Sequence, residues 1–488
     1  MVSPLIKQSW IVLGTLLCHF SGGVVNSYPA CLLPALMAKD SPIPVDRDTA
    51  SWIASSMVFG GWLGNIAGAY FLDKLGRKLS HILFIIPSIL GWLLIYFATN
   101  VPMLIIGRIA KGFSLLATYN IGLCVVAEYT APEVRGLMFS LKTLSFVVST
   151  LLTHLVGIYF HWRTVALIAT VPLLASLGVT SSWPESPAWL LLRGERRRAG
   201  DAFRWLRGSG ARAQREFQAM LQAQHERTLN TQAPKSLTDK MLHFFRWFTK
   251  REFVKPLIIY FALCVCLEGS GRHIIPVFST SIMTEILPEK MDVSVYIISF
   301  DIISVIGNVM SCLIIKFLNR RTILFWSGFV SAAILSIFSL YGYLIYVDVM
   351  TSRPWLLVSI LVCYLMVSNV GISSLPLVIS GEIFPLAIRE TSTAVANFIA
   401  LLFLFTVLRV TLILFNLLTV YGAFAVLAIL LLISLIYMYY YLPETRNKSM
   451  QEIEDYFYYG RSYKRELTKD TDPEVEAMVC SVDVNKPL

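Results

Sequence analysis

The chain has 488 residues, 56% of them hydrophobic and 15% charged, with a formal net charge of +10 and a mean hydropathy of +0.65. So few polar groups cannot cover the surface of a soluble domain, which leaves lipid to do the covering. The basic balance does not imply nucleic acid, because it concentrates in loops that flank apolar segments.

Crossing the hydrocarbon core takes about 20 apolar residues per helix. Runs of that length occur at 9–33, 51–72, 79–99, 102–126, 137–159 and 163–182, and after a polar gap at 255–276, 293–315, 322–346, 354–380, 391–415 and 419–442. The pattern predicts an all-α integral membrane protein with twelve transmembrane helices in two six-helix bundles. Residues 1–182 form the first bundle, 183–254 a linker with surface helices, 255–442 the second bundle and 443–488 a tail. Pro29 breaks the first run, and Glu268 and Arg272 interrupt the seventh. The first run is long and lacks a small-residue cleavage site, so it reads as a span rather than a signal peptide.

Lys7, the Lys74/Arg77/Lys78 group and the linker carry the positive charge. The linker alone holds fourteen Lys/Arg against seven Asp/Glu. Positive loops stay on the cytoplasmic side, which predicts a multi-pass protein with both termini and the linker cytoplasmic. Within the linker, Arg196–Leu206 and Arg212–Arg227 have thin apolar faces suited to helices beneath the bundle. The eight cysteines show no CxxC and no histidine at metal spacing, so they read as small apolar fillers, with no metal and no cofactor expected.

An internal repeat shows in how the spans end. Span two ends in Asp73-Lys74-Leu75-Gly76-Arg77-Lys78 and span eight in Lys316-Phe317-Leu318-Asn319-Arg320-Arg321. Span four ends in Glu128-Tyr129-Thr130-Ala131-Pro132-Glu133-Val134-Arg135, and span ten in Glu382-Ile383-Phe384-Pro385-Leu386-Ala387-Ile388-Arg389. Span six ends in Pro184-Glu185-Ser186-Pro187 and span twelve in Pro443-Glu444-Thr445. Three kinds of ending, each used twice in one order, are the signature of two parallel halves that rock about a central site.

These stretches, together with Ser270-Gly271 and the run from Pro184 to Gly208, resemble the sugar porters of the major facilitator superfamily, above all their insect facilitated trehalose transporter branch. The likeness extends over about residues 10 to 457. It implies alternating-access transport of a sugar of the trehalose or hexose class in the plasma membrane, by a chain that works as a monomer. It also implies a charge network at the cytoplasmic ends: Arg77, Glu128, Arg135 and Glu185 in one half, and Arg320, Arg321, Glu382, Arg389 and Glu444 in the other. Carboxylate–guanidinium pairs there would hold the halves together at that mouth and separate when it opens. Topology alone explains the Lys/Arg but not the paired glutamates.

The middle departs from the family. Where sugar porters carry Gln-Gln-x-Ser-Gly-x-Asn in span seven, this chain reads Leu267-Glu268-Gly269-Ser270-Gly271-Arg272-His273. The resemblance implies substrate contacts at Thr143, Glu268, His273 and Ser304, with Asn397 one turn before a lost asparagine. Five charges lie within spans: Lys142, Glu268, Arg272, Asp301 and Arg409. Such groups face a cavity or a partner. Glu268 and Arg272 are expected to pair as an i,i+4 couple and Asp301 to pair with Lys142, the alternative being that Arg272 lies near the outer mouth and Lys142 snorkels; His154 and His19 read as packing residues. The first span has no acid to partner Arg108, which favours facilitated diffusion; Glu268 and Asp301 leave proton coupling open. The exchange of amides for charges also admits another small organic solute, or a sensor that has kept the fold. No nucleophile–base pair, phosphate loop or metal set points to an enzyme.

Overall fold

A computed structural model describes residues 3–210, parts of 213–221, and 251–287, 292–314, 317–373, 375–380, 383 and 389–444. Backbone polar groups in lipid must be satisfied within the segment, so the apolar runs form helices. The first half contains α1 (Pro4–Ser27), α2 (Pro29–Met37), α3 (Arg47–Ser55), α4 (Met57–Tyr96), α5 (Val101–Tyr129), α6 (Pro132–Tyr159), α7 (Trp162–Ile168) and α8 (Val171–Ser181). Two short helices follow, α9 (Pro187–Leu192) and α10 (Arg196–Arg207). The second half contains α11 (Arg251–Gly269), α12 (Ile274–Ile286), α13 (Val293–Ile314), α14 (Arg320–Tyr346), α15 (Pro354–Val370), α16 (Leu375–Ser380) and α17 (Arg389–Tyr441).

Two of these are too long for one crossing. A straight helix of 40 residues, as in α4, would be about 60 Å long, twice the hydrocarbon thickness. The chain instead folds back at Gly76, whose φ is +84°. Ser80 Oγ donates to Phe71 O at 2.8 Å, a contact that nine residues of straight helix would not allow. α17 turns likewise at Thr419, φ +62°. The start of α14 bonds to Leu442 O through Arg321, while Ser339 near its far end bonds to Tyr421 O. Nine stretches among the described residues are long and apolar enough to cross a membrane. The two that fold back count twice, and Pro354–Val370 supplies one more, which gives twelve crossings.

Within the first half α4 packs on α5, and α1 on α6 and α8; within the second, α11 and α14 pack on α17. Between the halves α3 and α4 meet α17, and α6 meets α13. In span numbers these are two against eleven and five against eight. A repeat that sends each span to the sixth after it exchanges those two contacts, so the halves are related by a two-fold. Glycines allow the closest crossing. A Cβ on Gly60 or Gly64 would run into the backbone of Ile109 or Phe113, and one on Gly112 into that of Met57.

α10 docks under the first half, as its apolar face predicts. Phe203 and Leu206 are buried, and Lys7 and Gln8 of α1 donate to Trp205 O and Leu206 O at 3.1 and 3.4 Å. The expected Arg212–Arg227 helix falls largely outside the described residues.

Candidate functional site

At the end of the first half that carries α10, the reversal at Gly76 brings Arg77 against the end of α5. Arg77 donates through Nη2 to Glu128 Oε1 at 2.5 Å and through Nε to the same oxygen at 3.1 Å. Glu128 Oε2 accepts from Ser186 Oγ. Glu185 Oε1 accepts from Arg77 N at 2.8 Å, and Oε2 from Lys78 N at 3.2 Å. Burial raises the Glu185 carboxyl above its ordinary value, against the lowering effect of the N–H groups of Ser186, Arg77 and Lys78. The second half repeats the device: Arg321 N donates to Glu444 Oε2 at 3.1 Å. In both halves a carboxylate from the end of the sixth span of that half meets the exposed N–H groups that open the third.

These bonds close inside each half. They do not bridge the halves as the sequence reading expects, because Arg77, Glu128 and Glu185 all end helices of one bundle. Arg320 opens α14, and Arg135 and Arg389 lie in the first turns of α6 and α17. The side chains of Arg135 and Arg389, and all of Glu382, lie outside the described residues.

In the middle of the molecule the expected pairs are replaced. α11 ends at Gly269 and the chain turns through Ser270–His273, with Gly271 at φ +64°. This turn removes the i,i+4 geometry between Glu268 and Arg272. His273 Nδ1 lies 2.9 and 3.1 Å from the two carboxylate oxygens of Glu268, while Arg272 donates to Ser373 O and lies 5.7 Å from the centre of the Phe146 ring. Lys142 is 3% exposed and so does not reach out of the bundle. Its Nζ donates to Tyr119 O at 2.9 Å and sits 4.3 Å from the centre of the Tyr119 ring. His19 packs between Tyr119 and Phe146, at 5.5 and 5.6 Å between ring centres. One cation from each half thus flanks an aromatic trio.

Thr143 is half-buried beside Lys142. Ser304 Oγ accepts from Asn369 Nδ2 at 3.3 Å, and Asn397 Oδ1 accepts from Tyr260 Oη at 3.1 Å, so each is engaged within the second half. Arg108, fully buried, donates to the carbonyls of Ile53, Val25 and Ala54 at 2.8, 3.2 and 2.9 Å.

The hydrogen bonds that join the halves among described residues lie toward the end away from Arg77. Arg409 Nη2 donates to Asp48 Oδ1 at 2.5 Å, and Ser51 Oγ to Arg409 O at 2.9 Å. Arg47 donates to Asn416, and Thr280 Oγ1 to Ala30 O at 2.9 Å. Asp301 meets His154 Nδ1 at 2.6 Å and not Lys142, so His154 is a bridge between halves rather than a packing residue. Phe405 adds apolar contact, with its ring 6.1 and 4.9 Å from those of Trp52 and Phe59. In the sequence His154 gave no signal beyond its position on span five, since its partner lies 147 residues away.

The profile of the family described as "Sugar (and other) transporter" matches residues 9–457. The chain belongs to this family. Among curated relatives, a facilitated trehalose transporter Tret1 of Polypedilum vanderplanki is 27% identical over 451 residues, 91% of this chain and 87% of that one. A Tret1-2 homolog of Drosophila sechellia is 28% identical over 455 residues, covering 92% of this chain and 90% of the relative. Tret1 of Drosophila willistoni is 28% identical over 453 residues, but the chain spans only 50% of its length. The inward-open structure of the xylose transporter XylE from E. coli superposes with a TM-score of 0.73 at 16% identity, covering 93% of this chain and 99% of XylE. That likeness is one of fold: this member of the sugar transporter family is a multi-pass all-α membrane protein with the major facilitator fold.

Proposed function

We propose that this chain carries a sugar of the trehalose or hexose class across the plasma membrane by alternating access, as a monomer with both termini cytoplasmic. The observation that carries this reading is the asymmetry between the two ends. Among the described residues, the polar bonds that join the halves lie toward the Asp48/Arg409 end, and the bonds of Arg77 and Arg321 with Glu128, Glu185 and Glu444 close within their own halves. Two rigid halves that meet at one end and keep separate clusters at the other are the arrangement a rocking carrier needs. The trehalose named in its relatives supplies the substrate class. Arg108 spends its donors on carbonyls, and α1 offers it no carboxylate, which supports facilitated diffusion over coupling at that position.

One observation favours a second cargo. Lys142 and Arg272 are held by carbonyls and aromatic rings, and among the described residues neither is bonded to a carboxylate, which favours an anionic group between them. Saturable uptake of labelled trehalose or a hexose into cells lacking their own carriers tests the first reading. Competition by sugar acids but not by neutral sugars would replace it with the second.

A further inference from the structure

The contact between His154 and Asp301 sets an acceptor against each nitrogen of the imidazole ring. His154 Nδ1 is 2.6 Å from Asp301 Oδ2, and Nε2 is 3.3 Å from Pro276 O. A carbonyl oxygen only accepts, so the bond from Nε2 forms in the tautomer that carries a hydrogen there. Nδ1 then faces the carboxylate with no hydrogen of its own unless a second proton lies between them. Ser279 Oγ stands 3.5 Å from both Nε2 and Pro276 O, at the limit of hydrogen bonding. Both members are buried, with His154 4% and Asp301 8% exposed. Beside them is a cavity with room for about one water, lined by His154, Pro276, Ser279, Phe300 and Asp301.

The groups around the pair leave this proton as the balancing charge. From α2, Cys31 Sγ approaches Thr153 O at 3.9 Å and lies within electrostatic range of Asp301. α12 offers Ser279 and the Pro276 carbonyl. Among the described residues no lysine or arginine pairs with Asp301. His154 is on α6 of the first half and Asp301 on α13 of the second, so the pair exists only while the halves meet here.

We propose that His154 and Asp301 form a proton-binding site between the halves, so that closing the Asp48/Arg409 end takes up one proton and opening it releases one. In the closed form the proton lies between Nδ1 and Oδ2, and the pair is neutral overall whichever atom holds it. When the halves part, water reaches both groups. At neutral pH a free carboxylate is ionised and a free imidazole is mostly neutral, so the proton passes to the water at that end. No other reactant is required. Acid on that side therefore favours the closed form. The inference rests on the rocking-carrier reading but not on the identity of the cargo.

The test reads conformation, not uptake. Spin labels introduced as unnatural amino acids at positions 159 and 349, exposed in the two halves at this end (76% and 69%), report the closed-to-open ratio of the full chain in lipid nanodiscs. Linkage of one proton changes that ratio by about tenfold per pH unit across the linked range. In the wild type the ratio is expected to rise by up to that factor per pH unit as the pH falls from 8 to about 6.5 and to level off below, where a free imidazole is itself protonated; the rise is lost in His154→Gln and in Asp301→Asn. Two variants of near-native shape guard against misfolding of either. A flat wild-type response, or a slope kept in both variants, overturns the proposal. Absence of sugar uptake with the pH response intact rejects the cargo and leaves the proton site standing.

Discussion

Arg77 shows what a single side chain does at the charged end. Its guanidinium and Glu128 are 12% and 19% exposed, so removing one partner leaves a partly dehydrated charge on the other. Arg77→Ala is expected to lower stability by about 1–3 kcal/mol, read as an earlier thermal transition in detergent; Arg77→Lys recovers part of it, because lysine cannot supply the Nε and Nη2 bonds together. Gly76→Ala attacks the same cluster through the backbone. At φ +84° and ψ −176°, a region kept almost wholly to glycine, an alanine is strained by about 1–3 kcal/mol, and the added Cβ would lie 2.6 Å from Glu185 Oε2, displacing the carboxylate from the N–H groups it caps. A variant with an unchanged melting temperature would show that Glu185 does not organise this turn. That Arg77 and Glu128 lie at helix ends could be read from the charges after apolar runs, and the expectation that they belong to one charge network came from the resemblance to the sugar porters. The partners of Glu268, Lys142 and Asp301 could not. They depend on the turn at Gly269–His273 and on which residues of the opposite half arrive at the same depth, and neither leaves a local pattern in the sequence.

At the scale of elements, close approach of α4 and α5 rests on glycines rather than on buried apolar area, since lipid offers no hydrophobic drive to bring helices together. Gly112→Leu puts a side chain where the Met57 backbone lies. It is expected to abolish the monodisperse folded species on size-exclusion chromatography, and recovery of wild-type protein would mean that the crossing is looser than described. The number and order of the spans were legible because each apolar run of suitable length is parted from the next by a stretch that holds a polar residue or a proline. Less legible was the division within spans. Pro29 announces the break between α1 and α2, and Pro172 with Val171 opens α8, but the interruption of span seven by Glu268 and Arg272 does not by itself show that the helix stops between them. The turn at Thr419 is equally silent, because a threonine at φ +62° is held there by its surroundings and not by its own preference.

For the whole molecule, the Asp48–Arg409 contact biases the halves toward meeting at one end. Asp48 is 60% exposed and Arg409 19%, so water screens the pair and its worth is about 1 kcal/mol or less. Asp48→Asn is expected to shift the closed-to-open ratio at that end by about fivefold or less, measured with the same labels at positions 159 and 349. A much larger shift would mean that this one pair holds the end shut, against the distributed latch of Ser51, Arg47, Thr280 and the Phe405 contacts. The two-fold that exchanges the contact of spans two and eleven with that of spans five and eight supplies the axis for such rocking. It was foreshadowed by the three repeated helix endings. The cargo was not, because residues of the middle, where a solute would bind, differ from those of the sugar porters. Counterflow in proteoliposomes tests the central claim most directly: purified full-length chain, labelled trehalose or glucose outside, and the same unlabelled sugar inside. The account predicts a transient, saturable accumulation of label driven by the unlabelled gradient. Label that enters no faster than in protein-free vesicles, for every sugar of the trehalose and hexose class, would contradict it.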